Sequence, residues 1–434
     1  MIVPLFSRRA TRVATMRLSI LAAISLCSAN LRAQTMQPTG LTNPADGPSP
    51  SPTNDLVQPG PPVSESVRRL HYTLSLDVSE IYDDNITLAP TGEIDDYYTR
   101  ISPAISVGFG DTLGRQENFL ELNYQPNILF FADNTNFNTV EHIGHIAAQY
   151  RFSRLAVGAS QDVQIVETGG PQLSTLSGTF VNGVNIDTGG RRKINTYTTH
   201  VNASYDLSAK TYVTLAGDYS LVDYPGGFTD SQRLTGNFFF NYIYSDKLNF
   251  GIGGSAGKDL LAQGSGNESF EQANVRASYV LTGKLTANGS GGVEIRQARG
   301  GNDSVAPVFD LAIDYAPSDG ASLSLQANRK TLNSAGFAGQ DYASTQFQIT
   351  AQQRFFQRVF LAVSGGYQNL DYFNVPVGTP SREDNYYFVQ PAIDVRITNF
   401  WYAGAFFGYR NNESNFFTFG FEDKHAGVHT TLKF

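Results

Sequence analysis

Acidic side chains concentrate on both sides of residue 90, and oxygen ligands at this density are able to hold a hard cation. Asp83, Asp84 and Asn85 are consecutive, and Asp95 and Asp96 follow in the same polar stretch. Carboxylate and amide oxygens are the ligands that Ca²⁺ takes in proteins. The spacing is not that of an EF-hand, however, and Asp and Asn also form turns through hydrogen bonds to nearby backbone. We favour turn formation for these residues and predict no metal and no cofactor.

Histidines and glycines do not point to catalysis or to phosphate binding. His142 and His145 face opposite sides of a strand, so they do not make a metal pair. The glycine-rich run at 251–254 lies in a strand pattern with no helix after it, whereas phosphate-binding glycine loops open a helix. A Ser-His-acid hydrolase needs its three groups at one rim, and we identify no such cluster. We therefore predict no catalytic residues and no enzyme.

The elements that carry these side chains are β-strands. Apolar and polar residues alternate from about residue 70 onward, as at 310–315 and 322–328, and this period of two is the strand pattern. No apolar run reaches the ~18 residues of a transmembrane helix. We predict 18 strands, at 70–79, 97–109, 118–131, 140–152, 155–167, 195–207, 211–224, 231–244, 248–260, 268–281, 285–298, 305–316, 321–332, 342–355, 359–372, 385–397, 401–411 and 422–434.

Short and long joints alternate between these strands. Joints such as 153–154, 208–210 and 282–284 are short, and the joints between them are longer and rich in Gly, Asn and Asp. A β-propeller or β-helix also repeats, but neither explains this alternation. An even strand number with short turns at one end is typical of transmembrane barrels. We predict an all-β fold, a transmembrane antiparallel up-and-down β-barrel of about 16–18 strands, with both termini at the short-turn end.

Each predicted strand has an apolar and a polar face. Val275 and Ala277 alternate with Asn274 and Arg276, for example. In lipid only a closed sheet satisfies the backbone, so the apolar face is expected outside. The charged residues predicted to line the pore are Glu121, Arg151, Asp206, Arg276, Glu294, Arg296, Asp310, Asp314, Lys330, Arg354, Asp394 and Arg396. Because both signs occur, strong ion selectivity does not follow, and we favour pairing between neighbouring strands over a dedicated solute path.

The longest predicted loop runs from Thr168 to Ile194. It either folds inward as a constriction or covers the outer mouth, and the sequence leaves both placements open. If the lumen were blocked, the chain would be a purely structural barrel.

The N-terminal 68 residues differ in composition from the rest. Residues 1–34 have the pattern of a cleaved signal peptide, with arginines, no acid and an apolar run at 18–29; the start is Met1 or Met16. Residues 35–68 hold eight prolines and few aliphatic residues. Such a segment buries too little apolar surface to fold, so we predict a disordered periplasmic segment, with a proline-rich recognition arm as the alternative. The barrel is assigned to 69–434.

Charge and cysteine content exclude two classes of function. Five of the 31 Lys and Arg lie in residues 1–33, which contain no acid, so 26 bases face 39 acids in the remainder, a net charge of −13. Nucleic acid attracts basic surfaces and is excluded as a partner. Cys27 is the only cysteine and falls in the predicted signal peptide. The mature chain therefore uses neither disulfides nor thiol chemistry.

The last predicted strand ends in an aromatic residue. Counting back in twos from Phe434 gives Leu432, Thr430 and Val428. A terminal aromatic on an alternating strand resembles the C-terminal signal of bacterial outer-membrane barrels, which the barrel-assembly machinery recognises. The resemblance implies localisation in a Gram-negative outer membrane, lipid contact, and that machinery as a partner.

The segment 82–86, Tyr-Asp-Asp-Asn-Ile, resembles the first loop of a family of β-barrel porins. The family includes barrels encoded with exopolysaccharide synthesis and export, and it has no well-established catalytic residues. Our leading prediction is an outer-membrane, porin-like channel for passive diffusion of small hydrophilic solutes. The alternative is a barrel component of exopolysaccharide export or surface attachment, with polysaccharide as the partner.

Overall fold

The computed structural model describes residues 70–110, 118–169, 172–174, 179–181, 184–262, 266–297, 303–318, 320–375 and 380–434. The predicted signal peptide (1–34) and proline-rich segment (35–68) lie outside these residues. No helix in the described ranges is long and apolar enough to cross a membrane. The described chain consists of strands and their joints, with 3-10 turns at Thr135–Phe137 and Phe417–Phe419.

Eighteen long strands form one sheet, and two short strands, β6 (Gln172–Ser174) and β7 (Thr179–Val181), pair with each other. The long strands are β1 (Leu70–Asp83), β2 (Asp96–Gly110), β3 (Phe119–Phe131), β4 (Thr139–Arg151), β5 (Leu155–Glu167), β8 (Lys193–Asp206), β9 (Thr211–Asp223), β10 (Ser231–Ser245), β11 (Leu248–Leu261), β12 (Asn267–Thr282), β13 (Leu285–Gln297), β14 (Ser304–Ser318), β15 (Ala321–Asn333), β16 (Asp341–Phe355), β17 (Val359–Phe373), β18 (Glu383–Arg396), β19 (Trp401–Ser414) and β20 (Phe421–Lys433). Each matches a predicted strand, and the largest difference is at β1, which runs on from the predicted end at 79 to Asp83.

The sheet closes on itself. Each long strand pairs antiparallel with the long strands before and after it, and β20 pairs with β1 through nine residue pairs, from Ser75↔Lys433 to Asp83↔His425. Closure gives every long strand a neighbour on both sides, so no strand forms a free edge of the sheet. The prediction of an antiparallel up-and-down barrel is confirmed, at the upper end of the expected strand number.

The two ends of the barrel differ in their joints. One end, the short-turn end, holds the tight joints such as β4–β5 and β8–β9 together with Leu70 and Phe434. The other, the long-loop end, holds longer connections such as β1–β2, β5–β8 and β15–β16. The alternation of joint lengths in the sequence therefore corresponds to two physically different rims.

Polarity is inverted between the inside and the outside of the barrel. On β12, Val275 is 60 % exposed whereas its neighbour Arg276 is 2 % exposed. Outward-facing Ile252 and Val305 repeat this pattern on other strands, while Asp259 and Glu294 are buried inside. Soluble proteins rarely expose apolar surface on this scale, and an apolar outside with a polar inside is the arrangement of transmembrane barrels.

Phe434 completes the seam between the first and last strands. Its backbone exchanges two hydrogen bonds with Leu74, at 2.9 and 2.7 Å. Its ring stacks on Phe400, with the ring centroids 5.7 Å apart. The final residue is therefore part of the closed sheet, and its role as an assembly signal stays a prediction.

The β15 side of the β15–β16 hairpin parts from the barrel wall at the long-loop end, whereas β16 stays paired with β17 as far as Asp341↔Phe373. The β14–β15 ladder stops at Phe309↔Arg329, although β14 continues along β13 as far as Ser304. Beyond that point consecutive residues are buried on both faces, such as Tyr342 and Ala343 at 3 % and 4 % exposure. A wall strand exposes one face, so this segment (331–344), here called the folded-in hairpin end, lies inside the lumen.

Candidate functional site

A loop crosses the lumen at the long-loop end. Residues 184–190, here called the crossing loop, belong to the β5–β8 connection, and its residues 184–188 are at most 3 % exposed. Ile186 packs in one cluster with the inward-facing Leu370 and Tyr386. Because β5 and β8 are the fifth and sixth strands around the barrel and β17 and β18 the fifteenth and sixteenth, the loop reaches the opposite wall. For residues 184–190 the structure has the inward placement of the two that the sequence left open.

Asp187 joins the crossing loop to the folded-in hairpin end. Its carboxylate accepts hydrogen bonds from the Ser334 hydroxyl (2.6 Å), the Ala335 backbone N–H (2.6 Å) and the Tyr372 hydroxyl (2.7 Å). Hydrogen bonds to an ionised acceptor are roughly twice as strong as neutral ones. The crossing loop and the folded-in hairpin end, which start from different parts of the barrel wall, are thereby joined across the lumen.

Arg382 holds the crossing loop from the β18 side. Its guanidinium donates to the backbone carbonyls of Ile186 (2.6 Å) and Asp187 (2.8 Å) and pairs with Asp384 at 2.7 Å. It also lies 3.5 Å from the ring centroid of Phe419. A planar, always-charged group with several donors suits this double role of ion pair and carbonyl clamp.

Arg296 is the centre of a buried ionic cluster under the folded-in hairpin end. Its guanidinium lies 2.8 Å from Asp259, 3.1 Å from Glu268 and 3.1 Å from Glu294, and it donates to the Thr331 carbonyl at 3.2 Å. Asp341, on the hairpin end, is 3.9 Å away, and Arg233 also pairs with Asp259, at 2.7 Å. Such a cluster tolerates burial only because every charge has a partner.

Two more arginines anchor the beginning and end of the β5–β8 connection. Arg410 donates to the Gly169 carbonyl at 2.7 Å and pairs with Asp423 at 2.6 Å. Arg191 pairs with Glu167 at 2.8 Å. The β5–β8 connection is therefore held where it leaves β5 and where it enters β8, and the crossing loop within it is held by Asp187 and Arg382.

The lumen at the short-turn end is polar, and part of it is solvent-accessible. Arg151 and Asp206 pair at 3.1 Å with their side chains 43 % and 39 % exposed. Asp394 meets His429 at 2.7 Å, and Asp314 accepts a hydrogen bond from the Ser324 hydroxyl at 2.8 Å. We call this half, lined by inward-facing polar residues, the vestibule. Its geometry suits the passage or temporary binding of hydrated solutes.

The twelve predicted lining residues all take inward positions in the strand alternation but differ in burial, and the difference does not follow the two halves, since Glu121 and Arg276 are buried in the short-turn half. Glu121, Arg276, Glu294 and Arg296 are buried, and the other eight are half-buried or exposed: Arg151, Asp206, Asp310, Asp314, Lys330, Arg354, Asp394 and Arg396. Pairing between strands occurs for Arg151 with Asp206. Arg276 instead donates to Asn241 and Thr214, and Arg396 to the Gln357 carbonyl. Their role in lining an open pore stays a prediction.

Several residues that shape the lumen escaped the sequence analysis. They are Asp187, Arg233, Asp259, Glu268, Asp341 and Arg382. Strand parity alone would have placed Arg233, Asp259 and Glu268 inside. Nothing in the local sequence marks Asp187, Asp341 or Arg382, because their partners come from distant loops.

Ser255 carries a Gly-x-Ser-x-Gly spacing, at 253–257, that the sequence prediction of no catalytic cluster passed over. It lies within β11 rather than on a strand-to-helix turn, and its hydroxyl donates to the Asn237 amide oxygen. Asn237 in turn donates to Asp218, which pairs with His200. An amide therefore separates the hydroxyl from the acid and histidine, which is not the Ser-His-acid order of a hydrolase.

Comparison with known proteins finds likeness in solved structures alone. No protein-family model matches the chain, and no curated protein matches it. The outer membrane protein OpdK of Pseudomonas aeruginosa is 10 % identical at a TM-score of 0.43, covering 84 % of this chain and 99 % of that one. OccAB4 of Acinetobacter baumannii is 9 % identical (TM-score 0.45, coverage 85 % and 99 %). A BenF-like porin of Pseudomonas fluorescens Pf-5 is 10 % identical (TM-score 0.46, coverage 84 % and 99 %). At these scores the likeness transfers no function and no residue roles.

Proposed function

We propose that this chain is a porin-like channel of the outer membrane, through which small hydrophilic solutes diffuse passively. The observation that carries the proposal is the closed sheet of 18 strands with an apolar outside and a polar inside. In lipid, backbone groups must be satisfied within the sheet, and closure achieves this. A barrel of this strand number is wide enough to enclose an aqueous channel.

The route has two parts in series. Solutes in the vestibule meet half-exposed polar side chains such as Arg151, Asp206 and Asp314. At the long-loop end the crossing loop and the folded-in hairpin end narrow the lumen, since Asp187 binds both segments together. The vestibule then admits hydrated solutes, and the narrowed end sets the largest solute that passes.

Charges of both signs line the vestibule. Arg396 and Asp394 lie on the same strand, β18, and Arg354 on β16 is two strands from Asp314 on β14. Neither sign therefore forms a ring. Rings of one sign are what give strong cation or anion selectivity. We therefore expect weak ion selectivity and discrimination mainly by size.

We further propose that export uses a cleaved signal peptide at 1–34 and that the barrel-assembly machinery recognises the C-terminal strand. The place of Phe434 in the seam, hydrogen-bonded to Leu74, supports the second point. The surrounding lipid would contact the outward apolar residues.

The test is swelling of liposomes that contain the refolded protein, with sugars of graded size. Folding is checked beforehand by heat-modifiable gel mobility. Swelling with a size limit is the expected result. A folded barrel that passes no sugar would contradict passive diffusion and would favour polysaccharide handling or a structural role.

A further inference from the structure

Three carboxylates from the two ends of the chain meet where the barrel closes. One oxygen from each of Asp83, Asp84 and Asp423 lies within 4.8 Å of the others. Asp83 ends β1, and Asp423 lies near the beginning of β20, beside the pair Asp83↔His425 that ends the seam. Residues that are 340 positions apart in the chain thus form one oxygen-rich site.

Each of these carboxylates has one oxygen committed to the protein. Asp83 Oδ1 accepts the Asn85 N–H at 2.9 Å, and Asp84 Oδ1 accepts the Lys424 N–H at 2.7 Å. Asp423 Oδ2 accepts Arg410 Nε at 2.6 Å and also meets His425 Nδ1 at 2.9 Å. The committed oxygens fix the orientation of all three groups.

The remaining oxygens of the two buried carboxylates have no donor. Both residues are 0 % exposed, and Asp83 Oδ2 and Asp423 Oδ1 are buried without a hydrogen-bond partner. A buried carboxylate oxygen left unsatisfied is costly, and two acids at this distance repel each other. Either a proton shared between them or a bound cation would relieve both problems.

The geometry favours a divalent cation over a single proton. The buried pair Asp83 and Asp423 faces one arginine, Arg410, and the half-buried Asp84 brings a third carboxylate oxygen within 4.8 Å of theirs. Lys424 lies beside Asp84 but is half exposed and pairs with Glu422 at 2.7 Å. A proton is shared by two carboxylates at most, whereas a cation binds oxygens from all three.

We propose that Asp83, Asp84 and Asp423 bind a hard divalent cation of the Ca²⁺ class at the barrel seam. Carboxylate oxygens are the ligands that Ca²⁺ prefers, and water completes its coordination of 6–8 oxygens. The cation crosslinks β1 to β20, whose ladder ends here. Local turn bonds also occur in this stretch, since Asp83 Oδ1 accepts the Asn85 N–H and Asn85 Oδ1 accepts the Ala89 N–H. Asp96 instead accepts the distant backbone N–H groups of Asp133 and Asn134.

Binding is tested on the refolded full-length barrel in detergent, with Tb³⁺ luminescence as the probe and Ca²⁺ as the competitor. Tyr82 precedes Asp83 and contacts Tyr97, with ring centroids 4.8 Å apart, so tyrosine excitation is available beside the site. We expect saturable Tb³⁺ emission that Ca²⁺ displaces. Wild-type protein that shows no saturable, Ca²⁺-competed emission would overturn the proposal.

Variants separate this site from adventitious binding. Asp84→Asn keeps the buried pair of Asp83 and Asp423, whereas Asp83→Asn removes one charge of that pair. Each variant should weaken the affinity for the cation by at least roughly 10–100-fold, the loss seen when residues that only support the metal ligands are changed. Glu93→Gln alters an exposed acid of the same loop and should bind like wild type. Ca²⁺ should raise the unfolding temperature of wild type and of Glu93→Gln but not of the two site variants. Equal binding by all four proteins would also overturn the site.

Discussion

Two arginines at opposite ends of the lumen, Arg296 and Arg151, differ strongly in burial and in their partners. At the long-loop end Arg296 is 1 % exposed among three carboxylates within 3.1 Å. At the short-turn end Arg151 is 43 % exposed with a single partner at 3.1 Å. The difference arises because loops and a hairpin fold into one end, whereas tight turns are too short to reach into the other. Loop length thus accounts for the cluster around Arg296 and for the narrowed end, whereas Arg276 is buried in the short-turn half by wall residues, Asn241 and Phe239 among them.

The largest expected effect comes from breaking the buried cluster. Arg296→Ala leaves Asp259, Glu268 and Glu294 without their shared partner, and removing one member of a buried ion pair costs about 3–5 kcal/mol. The free energy of unfolding, measured by urea denaturation of the refolded barrel, should fall by that amount. A loss below 1 kcal/mol would mean that water reaches the cluster and that the contrast between the two ends is wrong.

Removing the carbonyl clamp should change transport as well as stability. Arg382→Ala frees the carbonyls of Ile186 and Asp187 and leaves Asp384 unpaired, at a cost of about 3 kcal/mol or more. The crossing loop should then loosen, so single-channel conductance in planar bilayers and the sugar size limit should both increase. The matched control is Arg396→Ala in the vestibule, whose guanidinium also donates to a carbonyl, that of Gln357. Equal conductance of both variants would show that the crossing loop does not limit passage.

Neutralising Asp187 tests the contact between the crossing loop and the folded-in hairpin end with a smaller change in structure. Asp187→Asn keeps the shape but weakens three hydrogen bonds to an ionised acceptor, at a cost of roughly 1–3 kcal/mol. Conductance should rise less than in Arg382→Ala. The comparison is sharpened by Asp314→Asn, a vestibule acid with one hydroxyl donor, which should leave the size limit unchanged.

The terminal aromatic should contribute a modest amount at the seam. Phe434→Ala loses the stack on Phe400, worth about 0.5–1.5 kcal/mol beyond the buried area. Heat-modifiable mobility should show a lower melting temperature for the folded band. Phe417→Ala, on a loop at the other end and 68 % exposed, is the control and should melt like wild type.

The smallest effect is expected at the exposed pair of the vestibule. Arg151→Ala should change the free energy of unfolding by about 0–1 kcal/mol, as solvent-exposed ion pairs do. The same denaturation experiment as for Arg296→Ala measures it. A loss near that of Arg296→Ala would show that the vestibule is as dry as the long-loop end.

Most of the wall was predictable from the chain. Every long strand was anticipated, from β1 to β20, because alternation and joint length are local signals. The pairing of Arg151 with Asp206 follows equally from strand parity and shared rim position. The inside of the long-loop end was not predictable, since Asp187 meets Ser334 and Tyr372 across the lumen rather than along a strand.

By itself the sequence determined the strands, their two faces, the two unlike rims and the inverted polarity of the barrel. These depend on a period of two and on the lengths of joints, which act between near neighbours in the chain. The inward course of residues 184–190 and the separation of β15 from β14 depend on the tertiary structure. The tertiary structure also decided that Asp83 and Asp423 face one another. Those contacts join residues from distant parts of the chain, and closure of the sheet is the physical event that brings them together.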